Sequence, residues 1–228
     1  PPHTSQRSWR TTLPDCSNRS LRLVTAYVPL DCENRSEPAY HELGRELQSL
    51  RLPLTVFHQT LQETWLAEHY ESIGCPVRSG GKDSLAYHCV QHEKSRWLLR
   101  AMRGWPSETV AWIDYGILHN PKIKPADVLA WVRAVSESPP SKITAPSCQP
   151  LHASPDEVIN WSFCGGLIAM PARNVLWFHD KCQLYAKAGD PTWEVNTWAK
   201  VAIERADMFC LYPANHDQTM FHNYPVAA

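Results

Sequence analysis

The first quarter of the chain contains an apolar run, an amphipathic run and a second apolar run. Leu21–Val28 (LRLVTAYV) is rich in β-forming residues and nearly free of charge, so it predicts a buried strand. Glu37–Leu50 has apolar residues at helical spacing behind Pro38 and predicts a helix. Leu54–Phe57 predicts a second strand. A strand, a helix and a strand in this order predict the parallel sheet of an α/β protein.

The rest of the chain continues this alternation of strands and helices. The further predicted helices are Leu61–Tyr70, one from Asp83 or Ser84 to about Met102, Pro125–Val135, one that begins at Pro171, and Glu194–Arg205. The further predicted strands are Thr109–Ile113, a short one near Ile143, Trp161–Met170 with two glycines inside it, and Met208–Tyr212. We therefore predict one α/β domain over residues 21–228, with a mixed, mostly parallel, Rossmann-like sheet flanked by helices. Residues 1–20 are polar and predict a flexible arm.

Charge is nearly balanced, with 22 basic and 23 acidic residues, so no general attraction to nucleic acid or to an anionic membrane is expected. No run of about 18 apolar residues is present, so no membrane span is predicted. The eight cysteines are scattered without a C-x-x-C pair, which favours reduced thiols over a disulfide framework or a structural zinc site. The expected compartment is therefore the cytoplasm.

Three N-x-S/T triplets favour the alternative compartment. They begin at Asn18, Asn34 and Asn160, and such triplets are glycosylation acceptors in secreted proteins. The sequence starts at Pro1 rather than at a methionine, so loss of an upstream anchor is compatible with it. A lumenal or secreted protein stays open at this point.

The candidate catalytic residue is Asp114, which follows the apolar strand in the segment Trp112–Gly116 (WIDYG). Open α/β sheets bind ligands at the carboxyl ends of their strands, where Asp114 is expected. Gly116 would let the backbone approach a ligand closely. A carboxylate here could hold Mn²⁺ or Mg²⁺ against two phosphates. The alternative is a turn aspartate that bonds its own backbone.

Three further residues suggest where a substrate would lie. Gly165 and Gly166 are adjacent glycines in a predicted strand, which mark either a bulge or close approach by a ligand. Glu194 opens a predicted helix, where it either interacts favourably with the helix dipole or serves as a general base for a hydroxyl.

Two basic residues and two histidines complete the set of candidates. Lys94 and Arg35 could bind a diphosphate, although each could equally be a solvated surface charge. His216 and His222 lie in a polar tail and could supply a metal ligand. Surface histidines without a function are the alternative for both.

The order of these features resembles the HtrL/YibB-type glycosyltransferases and, more loosely, the GT-A superfamily. The resemblance spans residues 21 to 215, and its most specific part is the segment Trp112–Ile117 (WIDYGI). It rests also on an early strand that reads Val24–Tyr27, on Cys164–Gly166, and on Glu194 about thirty residues later.

The resemblance implies a GT-A-like fold and a nucleotide-sugar donor, a UDP-sugar in particular. It implies that Thr25, Tyr27 and Arg35 lie near the nucleotide and that the paired glycines border the sugar. Asp114 matches the first acidic position of the D-x-D motif of these enzymes. Gly116 stands where their second aspartate would be.

Two more positions take a role from the resemblance. Glu194 matches the region that supplies the acceptor-side carboxylate in these enzymes. His216 or His222 matches the tail that completes their metal site.

The predicted function is therefore transfer of a sugar from a nucleotide-sugar donor to a hydroxyl acceptor, with a divalent cation. The acceptor could be a glycan, a protein, a small molecule or a modified nucleic acid, and the oligomeric state is not predicted. The alternative is a protein of the same fold that binds carbohydrate or nucleotide without catalysis.

Overall fold

A computed structural model describes residues 21–30, 37–78, 81, 83–104 and 107–226, so the predicted arm over residues 1–20 lies outside the described part. The strands form one six-stranded sheet in the order β2-β1-β3-β5-β4-β6. Their bounds are Leu21–Tyr27 (β1), Leu54–His58 (β2), Thr109–Ile113 (β3), Ile143–Ser147 (β4), Leu167–Pro171 (β5) and Phe209–Pro213 (β6). The short strand predicted near Ile143 is confirmed as β4.

The sheet is mixed and mostly parallel, as predicted. β1 pairs in parallel with β2 and β3, and β4 pairs in parallel with β6. β5 runs antiparallel to β3 on one side and to β4 on the other. Because β1 and β5 flank β3, β3 is an interior strand, and all five of its residues are buried.

Helices cover both faces of this sheet. Their bounds are Glu37–Ser49 (α1), Trp65–Ser72 (α2), Leu85–His92 (α3), Lys94–Gly104 (α4), Pro125–Glu137 (α5), Val175–Ala188 (α6), Glu194–Glu204 (α7) and Thr219–His222 (α8). Short 3-10 helices occupy Leu61–Glu63, Ile117–His119, Ala172–Asn174 and Ala206–Met208. None of the helices in the described part is long and apolar enough to cross a bilayer.

Strand alternation divides the core into two layers. Val110 and Trp112 of β3 pack with α4, α6 and α7, whereas Ala111 and Ile113 pack with α1, α5 and α8. Trp97 of α4 stacks on Trp112 with ring centroids 5.4 Å apart and an interplanar angle of 10°. The chain is thus a single-domain α/β protein whose helices flank a sheet with two buried faces.

The predicted helix from Asp83 or Ser84 to Met102 is two helices in the structure. Ser84 does cap the first, since its Oγ accepts a hydrogen bond from Tyr87 N at 3.2 Å. The break falls at Glu93, which is fully buried. Its Oε2 accepts a hydrogen bond from Trp65 N at 3.1 Å, so Glu93 satisfies a backbone donor in the first turn of α2.

The prediction of a strand over Trp161–Met170 is wrong for its first half. The strand begins at Leu167, and the two glycines form a turn before it. Cys164 N donates to Pro146 O at 2.9 Å, and Asp114 N donates to Gly166 O at 3.0 Å. Glycine weakens a strand, and here the glycine turn connects the ends of β3 and β4 instead.

Because His92 is buried, we expect the free energy of unfolding to fall in mild acid. Its Nδ1 lies 2.9 Å from His88 O and its Nε2 lies 2.9 Å from Thr197 Oγ1, so it joins α3 to α7. Burial lowers the pKa of His92 from 6.5 to about 4. Folding therefore keeps His92 neutral, and stability is lost as the pH falls from about 6.5 toward 4, by up to about 3 kcal/mol.

Urea unfolding at several pH values between 7 and 4 measures this effect. His92→Gln should flatten the dependence of the unfolding free energy on pH over that range, because it removes the group that must take up a proton. His69→Gln, on α2, is the control and should leave the dependence unchanged. An unaltered pH dependence in His92→Gln would contradict the assignment.

Candidate functional site

A cavity of about 300 Å³ opens at the carboxyl ends of β1 and β3. This is the edge where parallel α/β sheets bind ligands, and the antiparallel strand β5 brings its preceding turn to the same edge. Most of the candidates from the sequence line the cavity. They are Tyr27, Lys94, Asp114, Gly116, Gly165, Gly166, Glu194 and His216.

Lys94 is the centre of the cavity floor. Its Nζ lies 3.0 Å from Asp114 Oδ1 and 2.8 Å from Glu194 Oε1, and it donates to Gly165 O at 3.0 Å. The residue is 2% exposed, so each of the three ammonium protons has a protein acceptor in place of water. The sequence analysis treats these residues as separate candidates, whereas in the structure all of them contact the Lys94 ammonium group.

Electrostatics keep Lys94 charged in spite of its burial. Burial alone would lower the pKa of Lys94, but the carboxylates of Asp114 and Glu194 outweigh it and raise that pKa above its ordinary value. Two carboxyl groups face this one ammonium group, so acidic groups outnumber basic groups at the floor of the cavity. The floor therefore favours a cation or hydroxyl groups above it.

Glu194 is the first residue of α7 and is 3% exposed. Its Oε1 is held by Lys94, whereas its buried Oε2 has no hydrogen-bond partner among the described residues. Gly165 is required beside it, because a Cβ at Gly165 would lie 2.6 Å from Glu194 Oε1. A buried carboxylate oxygen without a donor at a cavity wall is suited to accept a hydrogen bond from a ligand hydroxyl.

Asp114 stands at the rim of the same floor, with its side chain 34% exposed. Trp112 Nε1 donates to Asp114 Oδ1 at 2.7 Å, so Oδ1 is held by both the indole and the ammonium group. A Cβ at Gly166 would lie 3.7 Å from Asp114 Oδ2, which is ordinary contact distance. Both donors, the indole and the ammonium group, contact Oδ1, and no described residue donates a hydrogen bond to Oδ2.

Aromatic rings form one side of the cavity. The Tyr27 ring centroid lies 6.1 Å from that of Tyr40 and 5.2 Å from that of Tyr115. Two glycines make room for this cluster. A Cβ at Gly116 would lie 2.5 Å from Tyr40 Cε2, and a Cβ at Gly44 would lie 1.8 Å from Tyr115 Cζ.

Sequence reasoning missed Tyr40 and Tyr115 as parts of the site, and missed Gly44 as the residue that makes room for Tyr115. Tyr40 and Gly44 belong to α1, which had been interpreted only as an amphipathic helix. A glycine in the middle of a helix costs about 1 kcal/mol, and that cost was the one available signal that something packs against Gly44.

Three of the described candidates lie apart from the arrangement around Lys94. Thr25 is fully buried in β1 and does not line the cavity, and Arg35 lies outside the described residues. His222 Nε2 lies 2.7 Å from Asp127 Oδ1 on the surface, away from the cavity lining. His216 lines the cavity, but its Nδ1 lies 3.4 Å from Cys148 Sγ.

Asp114, His216 and His222, the three predicted metal ligands, therefore do not lie together in the structure. Among the described residues, no group of three or more histidine, cysteine or acidic side chains with ligand atoms close together includes Asp114. Asp114 Oδ2 remains as one carboxylate oxygen.

Comparison with known proteins supports the fold. No protein-family model matches the chain, and neither does any curated protein. A solved glycosyltransferase involved in the glycosylation of the major capsid of PBCV-1 superimposes with a TM-score of 0.51 at 12% identity, covering 85% of this chain and 82% of that one. The likeness shows that the chain has a GT-A-like fold.

Two other solved structures are more distant. Mouse xyloside xylosyltransferase 1 has a TM-score of 0.43 at 9% identity and covers 84% of each chain. CMP:2-keto-3-deoxy-manno-octonic acid synthetase has a TM-score of 0.39 at 10% identity, over 86% of this chain and 90% of that one.

Removal of the Lys94 charge should destabilise the fold strongly. Lys94→Met leaves Glu194 as a buried carboxylate without a counter-charge, which costs about 3–5 kcal/mol of unfolding free energy. Adding Glu194→Gln should recover part of that loss, because the stranded charge is removed as well. Urea unfolding followed by circular dichroism measures all three free energies.

A surface ion pair provides the control. Lys181 pairs with Glu204, and the two side chains are 26% and 34% exposed, so Lys181→Met should destabilise the fold much less than Lys94→Met. Equal losses in Lys94→Met and Lys181→Met would show that the buried charge is not what holds the cavity floor together.

Proposed function

We propose that the chain is a glycosyltransferase that moves a sugar from a nucleotide-sugar donor, a UDP-sugar, to a hydroxyl acceptor. The observation that carries the proposal is the pair of carboxylates, Asp114 and Glu194, that Lys94 holds at the floor of the cavity. The GT-A-like fold supports it, because the solved neighbour with that fold is a glycosyltransferase. We also propose that the chain belongs to the HtrL/YibB-type enzymes.

The nucleoside is proposed to bind along the aromatic side of the cavity. Tyr27 and Tyr40 offer ring faces and edges on which a flat base can pack, a contact worth about 1–3 kcal/mol for bases on aromatic side chains. Arg35 is the proposed partner of the phosphates. Gly165 and Gly166 line the cavity where the sugar is proposed to lie.

Asp114 Oδ2 is the proposed protein ligand for Mn²⁺ or Mg²⁺. The cation would neutralise the charge that develops on the departing diphosphate. Gly116 offers no second carboxylate, so phosphate oxygens and water would complete the coordination shell. Lys94 contributes by holding Asp114 Oδ1, which fixes the direction of Oδ2.

Glu194 is the proposed acceptor-side carboxylate. Its Oε2 would accept a hydrogen bond from the acceptor hydroxyl and would remove its proton if the reaction inverts the anomeric carbon. In that step the acceptor oxygen forms a bond to the anomeric carbon while the bond to the β-phosphate oxygen breaks. The nucleoside diphosphate leaves with that electron pair.

A binding protein without catalysis is the second candidate. It is favoured by Gly116 at the place of the second aspartate and by Lys94, which occupies one oxygen of each carboxylate. Such a protein would bind a nucleotide or a carbohydrate without breaking a glycosidic bond. Turnover therefore separates the two candidates, whereas binding alone does not.

A thermal-shift panel of nucleotide sugars, with and without Mn²⁺, identifies the donor. The matching donor at about 100 times its Kd should raise the Tm by about 5–10 °C, because binding then adds about 2.7 kcal/mol. Free sugars and unrelated nucleotides serve as controls. The donor part of the proposal fails if no nucleotide sugar raises the Tm more than its free nucleoside does.

Asp114→Asn tests the catalytic role directly. Asparagine keeps the shape and the hydrogen bond from Trp112 but removes the charge, so transfer and donor hydrolysis should fall by at least about 100-fold. Release of nucleoside diphosphate from the donor is the measurement. Asp207→Asn is the control, because Asp207 is an exposed residue paired with Arg205, and it should leave the rate unchanged.

Two results would contradict the assignment. Wild-type rates in Asp114→Asn would remove Asp114 from the chemistry. Tight donor binding by the wild type without release of nucleoside diphosphate would favour the binding protein.

A further inference from the structure

Three segments of the chain meet at the carboxyl end of β4, beside the cavity. Cys148 follows β4, Cys164 belongs to the glycine turn before β5, and His216 lies in the tail after β6. Their ligand atoms, two Sγ atoms and one imidazole nitrogen, all lie within 4.8 Å of one another. Among the described residues, no other set of three such side chains is so close.

Backbone hydrogen bonds fix all three segments where they meet. Cys148 N donates to Trp161 O at 3.1 Å, Cys164 N donates to Pro146 O at 2.9 Å, and Ala214 N donates to Ser147 O at 2.8 Å. The convergence of the three side chains is therefore set by the ends of the strands rather than by the side chains themselves.

His216 is held in this position from two further sides. Its ring packs edge-on against Trp161 with centroids 4.8 Å apart, and its carbonyl oxygen accepts a hydrogen bond from Asn120 Nδ2. The ring therefore has one nitrogen directed toward Cys148 while it still lines the cavity.

We propose that Cys148, Cys164 and His216 form a zinc site with an open fourth position. Two thiolates and an imidazole are soft donors that select Zn²⁺ over the hard cations Mg²⁺ and Mn²⁺, so this ion is separate from any cation on the diphosphate. Three protein ligands and one water complete a tetrahedron.

Two of the three ligand separations can be compared with such a tetrahedron, and the third, between Cys164 Sγ and the His216 ring, is at most 4.8 Å. The ordinary Zn–S and Zn–N bond lengths give ligand separations of about 3.6 Å between sulfur and nitrogen and about 3.8 Å between two sulfurs. Cys148 Sγ lies 3.4 Å from His216 Nδ1, close to the first value. The two sulfurs are 2.8 Å apart and would separate by about 1 Å on binding.

The site would have a structural role that no residue of the catalytic proposal supplies. It would tie the tail after β6 to the loop after β4 and to the glycine turn. The wall formed by Trp161 and His216 would then be fixed beside the donor cavity.

Metal content of the tag-free chain, purified with a phosphine reductant, tests the proposal. After equilibration with one equivalent of Zn²⁺ and gel filtration, elemental analysis should find about one zinc ion per wild-type chain. Cys148→Ser, Cys164→Ser and His216→Gln should each lower the retained zinc at least about 10-fold. Circular dichroism and the Tm in zinc-free buffer confirm that each variant is folded.

Matched variants and a second metal make the result specific. Cys210→Ser on β6 and His69→Gln on α2 remove a half-buried thiol and an imidazole outside the trio, and both should retain wild-type zinc. Co²⁺ in place of zinc should give thiolate-to-metal absorption and the visible bands of a tetrahedral ion. Both signals should disappear in Cys148→Ser.

Three outcomes would overturn the site. One is a wild type that retains no more zinc than Cys148→Ser, and another is equal loss in the two control variants. The third is a Cys148–Cys164 disulfide that persists in reductant, seen as an intact mass lower by two hydrogens and as cross-linked peptides. None of these measurements requires a nucleotide sugar, so failure of the zinc site and failure of the transferase proposal are distinguishable.

Discussion

The buried ammonium group of Lys94 is the interaction on which the rest of the site depends. It connects α4, the end of β3, the turn before β5 and the start of α7, although Lys94 and Glu194 are 100 residues apart in the chain. A buried charge is tolerated only when all its partners are in place, because an unmatched one costs several kcal/mol. The ion pairs of Lys94 and the packing around them therefore stabilise one another.

The direction of β5 explains how residues that precede one strand and residues that follow other strands reach the same cavity. In a fully parallel sheet, the residues that follow each strand form the ligand-binding edge. β5 runs the other way, so the residues that precede it, from Trp161 to Gly166, come to this edge as well. The glycine turn brings a backbone carbonyl to Lys94 and brings Cys164 to the neighbouring trio.

The sequence was sufficient to predict the fold class and the position of Asp114 at the carboxyl end of an apolar strand, because both depend on local apolar runs and on the order of strands and helices. It was not sufficient for contacts between distant residues. Lys94 was selected as a possible phosphate ligand, whereas its ammonium group is saturated by Asp114, Glu194 and Gly165. No local pattern in the sequence encodes that pairing.

The remaining differences have similar physical causes. A β-rich run that contains two glycines predicts a strand from Trp161, but the backbone donors of this segment find partners at the ends of other strands. The histidines of the tail illustrate the same limit. His216 faces Cys148 and His222 faces Asp127, and their separation depends on how the tail packs rather than on its composition.

Gly44 affects the shape of the cavity although it lies outside the cavity lining. The Tyr115 ring occupies the volume that a side chain at position 44 would need, so any other residue there would require the helix or the ring to move. A larger residue would act as a wedge between helix and strand and would displace the tyrosines with it. The shape of the cavity thus depends on a glycine that has no side chain and does not line the cavity.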